Sequence, residues 1–599
     1  MDVRPAAVLG FLALVVLTVA AWRAPVVAGV EPVGGPLGWL TPQSSSATFT
    51  AVVVLPALAL LVGCWWNLVA QARAGAPLRP LVRTGALWSL PLLIAPPLLS
   101  MDAFAYLAQG RMLVRGLDAY ADGPVLLGDD PALGAMDPLW RTSPTPYGPV
   151  ALVVLKAVSL GSGGAAGGGL GVVLLRMLAI AGVVAAVAAA LALTPQPRRA
   201  QVLALTALNP VTVVHLVGGA HVDALLAGAV GVAVLATVRG RSRVGVLLAA
   251  IAVAVKVVVL PVLLLLVVRA PRRQAPGLLL LATAPFVLSA LVVGRPWGFL
   301  GALTVPGVVV SWYAPATLVG RLLDGSAAVL GLPLEAAQAL AVGRAVVLLA
   351  GAALVGLLLL RTARSGAGPD ALLRRAGMIL LVVALSLPAV HPWYLGTALF
   401  LLAAAGAVRT VVTLSSLLAL SVTPPLREVD PLVLGAIWVL VMSLLLAAGR
   451  AAQERPAQAE PAPAPTTPGW RAPVLGAAVL APFVFVGVLA GSATAQGGRP
   501  PQADRLRATA DVVSVRLPRA RLVRVVPAGR DRVAIDLVIG TREVCRLVVR
   551  TGTQGLAEAS ATRDSSVVQP CSRFVLAAVV PDVKVPGEGL PRRAGTTAY

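Results

Sequence analysis

The sequence predicts a polytopic all-α membrane protein: a helical bundle with one long first external loop, followed by a small β-rich C-terminal domain. Three observations predict this class. The 599 residues are 58% hydrophobic and only 12% charged, and their mean hydropathy is +0.89. Apolar runs long enough to cross a bilayer recur over the first 450 residues. Arginines cluster in the short segments between these runs, where positive charge sets membrane orientation.

Composition and motifs exclude several classes of function. The net charge of +23 does not indicate nucleic-acid binding, because most arginines lie in the loops between spans. Only Lys156, Lys256 and Lys584 are lysines among the 48 basic residues, a bias typical of a GC-rich genome such as that of an actinobacterium. The sequence has no Walker loop, no dinucleotide-binding glycine pattern and no Cys/His zinc array. We therefore expect no nucleotide-driven pump and no metal site, while a divalent cation stays open as a cofactor.

The positive-inside rule gives a consistent order of spans. With a cytoplasmic N-terminus, the first span crosses outward, the second returns to a loop containing Arg73, and the third delivers Asp102 to the external face. The first three predicted spans lie at 6–30, from about 48 and at 85–100. After the long external loop, one span lies at 174–193, and the next two form a pair that turns outside between His215 and Asp223. The remaining spans are predicted at 276–293, 340–360, 376–389, 395–408, 410–423 and 431–449.

The first external loop is predicted to cover residues 102–167. Apolar residues recur at helical spacing (Phe104, Leu107, Met112 and Leu113) against Gln109, Arg111 and Arg115, which predicts an amphipathic helix lying in the membrane interface. The segment 150–160 is too short for a span and is predicted to be a second interfacial helix.

Residues 244–268 carry an arginine at each end, Arg243 and Arg269. A single crossing would break the charge pattern, whereas two short half-spans that meet around Lys256 and Pro261 restore it. Broken spans are tolerated where they line a protein-buried or water-filled cavity. Lys256 is therefore predicted to lie within such a break.

The predicted domains are a membrane domain at 1–450, a Pro- and Ala-rich cytoplasmic linker at 451–470, a last transmembrane helix at 471–493 and an extracytoplasmic domain at 494–599. Stretches such as 532–538 are rich in β-forming residues. Outside the cytoplasm, Cys545 and Cys571 are expected to form a disulfide. Cys64 lies in a predicted span and is expected to be buried packing.

Asp102 is the first candidate for chemistry. A carboxylate at the edge of a span is costly, so it is a functional candidate by default. The alternative is a helix cap or a partner for Arg111. Six of the 25 acidic residues lie between 102 and 137, and acids mixed with aromatic residues are typical of sugar binding. The other members of this loop set are Asp118, Tyr120, Asp122, Asp129, Asp130, Asp137, Trp140, Arg141 and Tyr147, of which Asp129 and Asp130 are expected to be solvated loop charges.

The three histidines, His215, His221 and His391, all fall near the predicted external face. In the sequence His221-Val222-Asp223, the imidazole can donate to a phosphate oxygen and the acid can accept from a hydroxyl. The alternative is hydrogen bonding between helices. One acid and one imidazole do not make a closed metal site.

Three cations are candidates for holding a lipid-linked phosphate: Arg141, Lys256 and Arg321. A cation beside a departing phosphate lowers the cost of the developing charge. Arg321 has the alternative role of an interfacial arginine whose head reaches toward water.

Two groups of motifs stand out together. The first group is 87–97, Asp102, 106–109, 116–120, 139–142 and 144–149, and the second is Asn209-Pro210 with 215–225. In combination they resemble one known family, the actinobacterial polyprenol-phosphomannose-dependent α-(1→6)-mannopyranosyltransferases. Together the motifs cover residues 85–225, and hydropathy extends the likeness to about residue 450. Where the family commonly has a basic residue before the first acid and an Asn after the histidine, this chain has Met101 and Val222.

The resemblance implies a GT-C-type glycosyltransferase bundle that transfers mannose from polyprenyl phosphate to a lipid-linked mannan on the extracytoplasmic face of the cell membrane. Asp102 matches the family's catalytic acid, and Asp223 matches an acidic position after its His-Asn pair. The expected partners are the polyprenyl-phosphate sugar, the glycan acceptor and membrane lipids. We expect the phosphate at Arg141, His221, Lys256 and Arg321, and the acceptor and sugars at Tyr106, Asp118, Tyr120, Trp140, Tyr147, Asp223, His391 and Trp393.

Three alternatives are open. The same fold can use another lipid-linked sugar such as arabinose, and the absence of polar groups at Met101 and Val222 leaves room for that. A lipid-linked glycan transporter would place its acids at mid-membrane rather than in a loop. A scaffold without activity would tolerate loss of Asp102.

Overall fold

The computed structural model describes residues 2–23, 53–128, 130–163, 168–294, 298–302, 309, 311, 314–365 and 368–420, together with five strands beyond residue 519. The described residues of 1–121, 129–137 and 144–496 belong to one compact unit, and those of 122–128, 138–143 and 497–599 to a second. The predicted span 431–449, the linker, the last transmembrane helix, Asp129 and Cys571 lie outside the described residues.

The first unit is helical. Its first nine α-helices are α1 (Arg4–Arg23), α2 (Leu55–Arg73), α3 (Leu78–Ile94), α4 (Asp102–Val114), α5 (Pro131–Ala135), α6 (Pro149–Gly161), α7 (Gly168–Ala192), α8 (Arg199–Thr206) and α9 (Asp223–Val238). They are followed by α10 (Ser242–Val255), α11 (Leu260–Arg269), α12 (Ala275–Val293), α13 (Gly298–Ala302), α14 (Pro315–Leu330), α15 (Ala336–Ser365), α16 (Pro369–Ser386), α17 (Pro392–Ala404) and α18 (Val408–Leu420). A π-helix, Val211–Gly218, lies between α8 and α9.

The described residues include five helices that are long and apolar enough to cross a membrane, and a sixth span if a bent pair is counted as one. The five lie at 4–22, 55–73, 169–192, 272–293 and 336–364, and the pair is Gln196–Thr206 with Val211–Gly218, bent by 55°. Large apolar side chains such as Leu280, Leu291 and Leu349 are exposed on these helices, as expected for a surface that faces lipid. The chain is a polytopic α-helical membrane protein.

Small residues let the central helices approach closely. A Cβ atom on Gly182 of α7 would lie 2.3 Å from the carbonyl oxygen of Ala224, so α7 and α9 cross almost backbone to backbone. Close crossing at small residues is the usual means of helix association in a bilayer, where lipid is as apolar as leucine. The crossing fixes the first turns of α9, which begins at Asp223.

The predicted interruption at Lys256 is confirmed. α10 ends at Val255, and Lys256 has an extended backbone (φ −153°, ψ 121°). A short 3₁₀ turn, Val257–Val259, then leads into α11, which carries Pro261 in its first turn. Proline is favoured there because its missing N–H has no helical partner at that position.

The sequence predicted that the polar side chains of the helix after Asp102 face the membrane interface, and this is wrong for Gln109 and Arg111. α4 has the expected bounds, but Gln109 and Arg111 are both buried. Gln109 accepts a hydrogen bond from the Thr145 hydroxyl at 2.9 Å, and Arg111 forms an ion pair with Asp130. Asp130 is likewise buried, 3.5 Å from an Arg115 nitrogen, rather than a solvated loop charge. Gln109 and Arg111 therefore meet protein instead of water, whereas Arg115, at the end of α4, is 47% exposed.

The second unit contains a five-stranded sheet and two short helical turns, Pro124–Leu127 and Pro138–Arg141. The strands are β1 (Ala520–Pro527), β2 (Arg532–Ile539), β3 (Glu543–Gly552), β4 (Gly555–Ser560) and β5 (Gln569–Pro570). β1 to β4 pair antiparallel in chain order, and β5 pairs parallel with β3. Cys545 lies on β3 opposite Leu537. The predicted extracytoplasmic domain and its disulfide stay predictions.

Candidate functional site

Asp102 opens α4, directly after the segment that follows α3. Its backbone N–H donates to the Ser100 hydroxyl at 3.2 Å. Its side chain is 20% exposed, and one carboxylate oxygen lies 3.7 Å from Nδ1 of His221. The alternative partner, Arg111, instead pairs with Asp130. The carboxylate is thus mostly enclosed by protein, close to an imidazole, and still reachable.

A tight turn places His221 beside Asp102. The turn follows the π-helix and passes through Ala220, whose φ of +54° is uncommon for a residue with a side chain. His221 is fully buried, and its Nδ1 lies 3.2 Å from the Tyr106 hydroxyl. The imidazole therefore contacts both the first acid and a tyrosine one helical turn further along α4.

Tyr147 joins this group through a loop that is seated on the helix break. The Tyr147 hydroxyl donates to the Tyr106 hydroxyl at 3.4 Å, and the two rings meet edge to face at 5.4 Å. The N–H of Gly148 donates to the Val255 carbonyl at 3.0 Å. A Cβ at position 148 would lie 2.2 Å from the Ala254 carbonyl oxygen, so only glycine allows this approach.

Asp223 and Lys256 form an ion pair in the same site. Lys256 Nζ lies 2.8 Å from Asp223 Oδ1, and the two side chains are 13% and 3% exposed. The ammonium also lies 3.9 Å from the centre of the Tyr394 ring, a cation–π contact. The second oxygen of Asp223 is buried and has no hydrogen-bond partner among the described residues. An unsatisfied buried acceptor is costly, so this oxygen is suited to receive a ligand hydroxyl.

Trp393 forms the aromatic wall. Its ring stacks on His221 at 3.9 Å between ring centres, and on His391 at 4.6 Å. His215, on the π-helix, lies 6.2 Å away. The three histidines of the chain thus converge on one buried tryptophan at the start of α17.

Burial sets the protonation states of the site. Desolvation raises the pKa of Asp102 to about 7; the charge of Lys256 opposes this rise, and that of Asp223 adds to it. Desolvation lowers the pKa of His391 to about 4 and that of His221 well below its ordinary value. The imidazoles are therefore neutral at pH 7. An acid that titrates near neutral pH is suited to accept a proton from a hydroxyl and to release it again.

The remaining predicted residues lie in other surroundings. Asp118 accepts the N–H of Tyr120 at 3.0 Å and so fixes a turn, and the Tyr120 ring packs closely against Gly298. Arg321 lies on α14, which carries none of the groups described above. Trp140 and Arg141 belong to the second unit. The roles predicted for these residues stay predictions.

The sequence predictions missed Arg176 and Tyr394. Arg176 is buried on α7 and donates to the carbonyl oxygens of Val217 at 3.3 Å, Gly218 at 3.1 Å and Pro96 at 3.3 Å. It thereby ties the segment before Asp102 to the turn before His221. An arginine inside an apolar run was the available signal, since ionisable groups within membrane helices are rare. Among the described residues, no group of three His, Cys, Asp or Glu side chains could hold a metal ion.

Fold and site define a membrane-embedded helical protein with an acid–imidazole pair beside an acid–lysine pair. Residues 7–272 match the family model for the N-terminal domain of α-(1→6)-mannopyranosyltransferases, and residues 316–450 match the model for the MptB C-terminal domain. The chain belongs to the α-(1→6)-mannopyranosyltransferase family, a family of glycosyltransferases. The resemblance predicted from the motifs is confirmed.

Curated relatives agree with this assignment. The chain is 29% identical over 370 residues to α-(1→6)-mannopyranosyltransferase A of Mycobacterium tuberculosis, covering 58% of this chain and 69% of the relative. It is 32% identical over 374 residues to α-(1→6)-mannopyranosyltransferase B of Corynebacterium glutamicum, covering 56% of this chain and 61% of the relative. The chain therefore spans less than two thirds of the second relative. No solved structure matches.

Proposed function

We propose that the protein transfers mannose from a polyprenyl phosphomannose to a lipid-linked mannan acceptor, forming an α-1,6 linkage with inversion. The observation that carries the proposal is the Asp102–His221 pair, a mostly enclosed acid that titrates near pH 7 beside a neutral imidazole. The names of the family and of the relatives favour mannose as the sugar.

In the proposed mechanism, the Asp102 carboxylate takes the proton from the acceptor hydroxyl. The acceptor oxygen then forms a bond to the anomeric carbon as the bond from that carbon to the phosphate oxygen breaks. Polyprenyl phosphate leaves with the bonding electrons, so a β-linked donor gives an α-linked product. General-base help of this kind contributes roughly 10²–10⁴-fold to the rate.

Lys256 is the proposed partner of the leaving phosphate. Its ammonium is anchored by Asp223 at 2.8 Å and by the Tyr394 ring, and its charge acts on Asp102. A cation fixed in a site shielded from water stabilises developing negative charge without reorganising. We assign the unsatisfied oxygen of Asp223 to a sugar hydroxyl.

His221 has a different proposed role from the phosphate contact first predicted. Its Nδ1 faces Asp102 and Tyr106, and its ring is fixed on Trp393. We propose that it orients the Asp102 carboxylate toward the acceptor.

We also propose that the site and the C-terminal strands lie on the extracytoplasmic side of the membrane. The distribution of arginine in the loops supports this orientation. Labelling of a cysteine introduced at Ser100 by a membrane-impermeant reagent in intact cells tests it.

The test of the activity uses the purified full chain with polyprenyl phosphomannose and mannan acceptors, followed by linkage analysis. Asp102→Asn is expected to slow transfer by about 10²–10⁴-fold while the protein is still made and inserted. Asp370→Asn, at an exposed acid in the first turn of α16, is the matched control and should transfer normally. Near-normal turnover by Asp102→Asn would reject the assigned base, and transfer from polyprenyl phosphoarabinose alone would reject mannose.

A further inference from the structure

Two backbone positions of uncommon geometry flank the acid–imidazole pair. Leu99 and Ala220 both have a φ of +54°. A residue with a side chain rarely adopts this left-handed conformation, because its Cβ comes too close to the following carbonyl oxygen. Leu99 lies three residues before Asp102, and Ala220 directly precedes His221. Each member of the pair is therefore preceded by a strained residue.

The chain has glycine at the other left-handed positions among its described residues, for example Gly75, Gly240 and Gly331. Glycine adopts this conformation without strain. Strained residues persist only where the surrounding structure over-determines them, and they concentrate at functional sites. The two exceptions therefore point to segments whose backbone is held firmly by its surroundings.

The segments that carry the two strained residues are bonded to each other. The N–H of Leu98 donates to the Gly218 carbonyl at 3.0 Å. The Arg176 guanidinium donates to the carbonyl oxygens of Pro96, Val217 and Gly218. A Cβ at Gly218 would lie 2.8 Å from Cδ1 of Leu98, so the segments also pack closely. Neither segment can change its backbone without losing contacts to the other.

The turn at Ala220 also fixes the imidazole. Ala220 is buried, and the N–H of His221 donates to the Leu216 carbonyl at 3.0 Å. A Cβ at Gly219 would lie 2.6 Å from Cδ2 of His221, and Trp393 stacks on the imidazole at 3.9 Å between ring centres. Both the turn and Trp393 contact the ring, so the place of the ring depends on the backbone of the turn.

We propose that Leu99 and Ala220 are positioning residues, which hold Asp102 and His221 at their separation of 3.7 Å before substrate binds. The inference rests on the proposed function, since a preset separation is useful only if the pair acts on an acceptor. Groups that are fixed before reaction stabilise a transition state without reorganising. Glycine at either position would permit the same φ and many others, so the pair would sample several separations.

The first test replaces each strained residue by glycine in the full chain. Leu99→Gly and Ala220→Gly should each lower kcat roughly ten- to hundredfold, the scale of a small misplacement of reacting groups. KM for polyprenyl phosphomannose should stay nearly unchanged, since neither residue is assigned to donor binding. Melting temperature should change little, because relief of strain offsets the added freedom of the unfolded chain.

Two matched controls separate the backbone from the side chain. Leu99→Ala removes most of the side chain but keeps the Cβ and hence the strained backbone, so it should retain near-normal kcat. Ala74→Gly, at an exposed residue after α2 with a φ of −82°, adds the same flexibility away from the site and should transfer normally. If Leu99→Ala is as slow as Leu99→Gly, packing of the leucine explains the effect and the role of Leu99 is overturned.

The double glycine variant tests whether both residues serve one geometry. Residues that hold the same pair are coupled, so the double variant should lose much less kcat than the product of the two single losses. A loss equal to that product, or normal kcat in both single variants, would overturn the inference.

A second measurement needs no turnover. Hydrogen exchange of the backbone amides is followed by mass spectrometry in the unmodified full chain and in the two glycine variants, each in lipid. Ala220→Gly should speed exchange in residues 98–102, and Leu99→Gly should speed exchange in residues 216–221, because each segment is held by the other. Faster exchange confined to the substituted segment would contradict the inference. Failure of the unmodified protein to transfer mannose would count against the proposed function, and the exchange measurement would still decide whether the two segments hold each other.

Discussion

Asp102 and Asp130 lie in one loop region, both largely enclosed, and they differ in what surrounds them. Asp130 is sealed from solvent and is paired with Arg111 and Arg115; it also accepts the N–H of Ala132 at 3.0 Å. Asp102 is 20% exposed, and one of its carboxylate oxygens lies 3.7 Å from the imidazole of His221. An acid held by two arginines and a backbone N–H stabilises the fold. An acid with a neutral neighbour and one open side keeps its affinity for a proton.

The largest expected effect is that replacing Asp102 lowers the reaction rate, whereas replacing Asp130 lowers the stability of the fold. Asp102→Asn should lower kcat by about 10²–10⁴-fold with little change in melting temperature, because the general base is lost and no ion pair is broken. Asp130→Asn should lower the free energy of unfolding by about 3–5 kcal/mol, because a neutral amide replaces the carboxylate that pairs with the buried Arg111 charge. Thermal melting and single-turnover rates of both variants separate the two outcomes. A destabilised Asp102→Asn with normal kcat would reverse the assignment of the two acids.

Replacing Lys256 should give the next largest effect. Lys256→Met removes the cation beside the leaving phosphate and should lower kcat by about 10²-fold. It also removes the positive charge that holds down the pKa of Asp102, so the pH dependence of kcat/KM should move to higher pH. Lys156→Met, at a half-buried lysine on α6, is the matched control. A lower rate with an unmoved pH profile would show that Lys256 does not act on Asp102.

The pH profile of the unmodified protein reports directly on the ionisation of Asp102. Asp102 acts as a base only when ionised, and desolvation raises its pKa to about 7. The value of kcat/KM should therefore fall about tenfold per pH unit below pH 6 and level off above pH 8. The pKa of His391 is about 4, so its titration lies outside this range. A single apparent pKa near 4 would indicate a solvated carboxylate and would contradict the site.

Sequence reasoning located Asp102 and Lys256 because each breaks a rule that apolar spans obey, and it located Asp223 through its place two residues after His221. Asp102 is a charge at the end of a span, and Lys256 sits where flanking arginines make a single crossing inconsistent with the charge rule. Such conflicts can be recognised in the amino-acid sequence alone. They marked residues that the structure brings into one cluster with His221, Tyr147 and Trp393.

The interior contacts of the loop were not predictable in the same way. A helix with polar residues on one face gives the same periodicity whether that face meets water or another part of the chain. Gln109 and Arg111 therefore suggested an exposed surface. In the structure, Gln109 is bonded to Thr145, 36 residues further along the chain, and Arg111 is paired with Asp130, 19 residues further along. Pairings across 19 to 36 residues leave no local pattern in the sequence.

The smallest effect is expected at Arg176, which touches neither acid. Its guanidinium connects the Pro96 carbonyl with those of Val217 and Gly218, and so fixes the distance between the segments that carry Asp102 and His221. Arg176→Met should lower kcat roughly tenfold, about 1.4 kcal/mol of transition-state stabilisation, with KM for the donor little changed. Arg176→Lys should restore only part of kcat, because an ammonium lacks the planar fork that spans three acceptors. Steady-state kinetics together with the pH profile check this: displacement of His221 from Asp102 should also alter the apparent pKa of kcat/KM. A fall in melting temperature with kcat and pH profile both unchanged would reduce Arg176 to a purely structural residue.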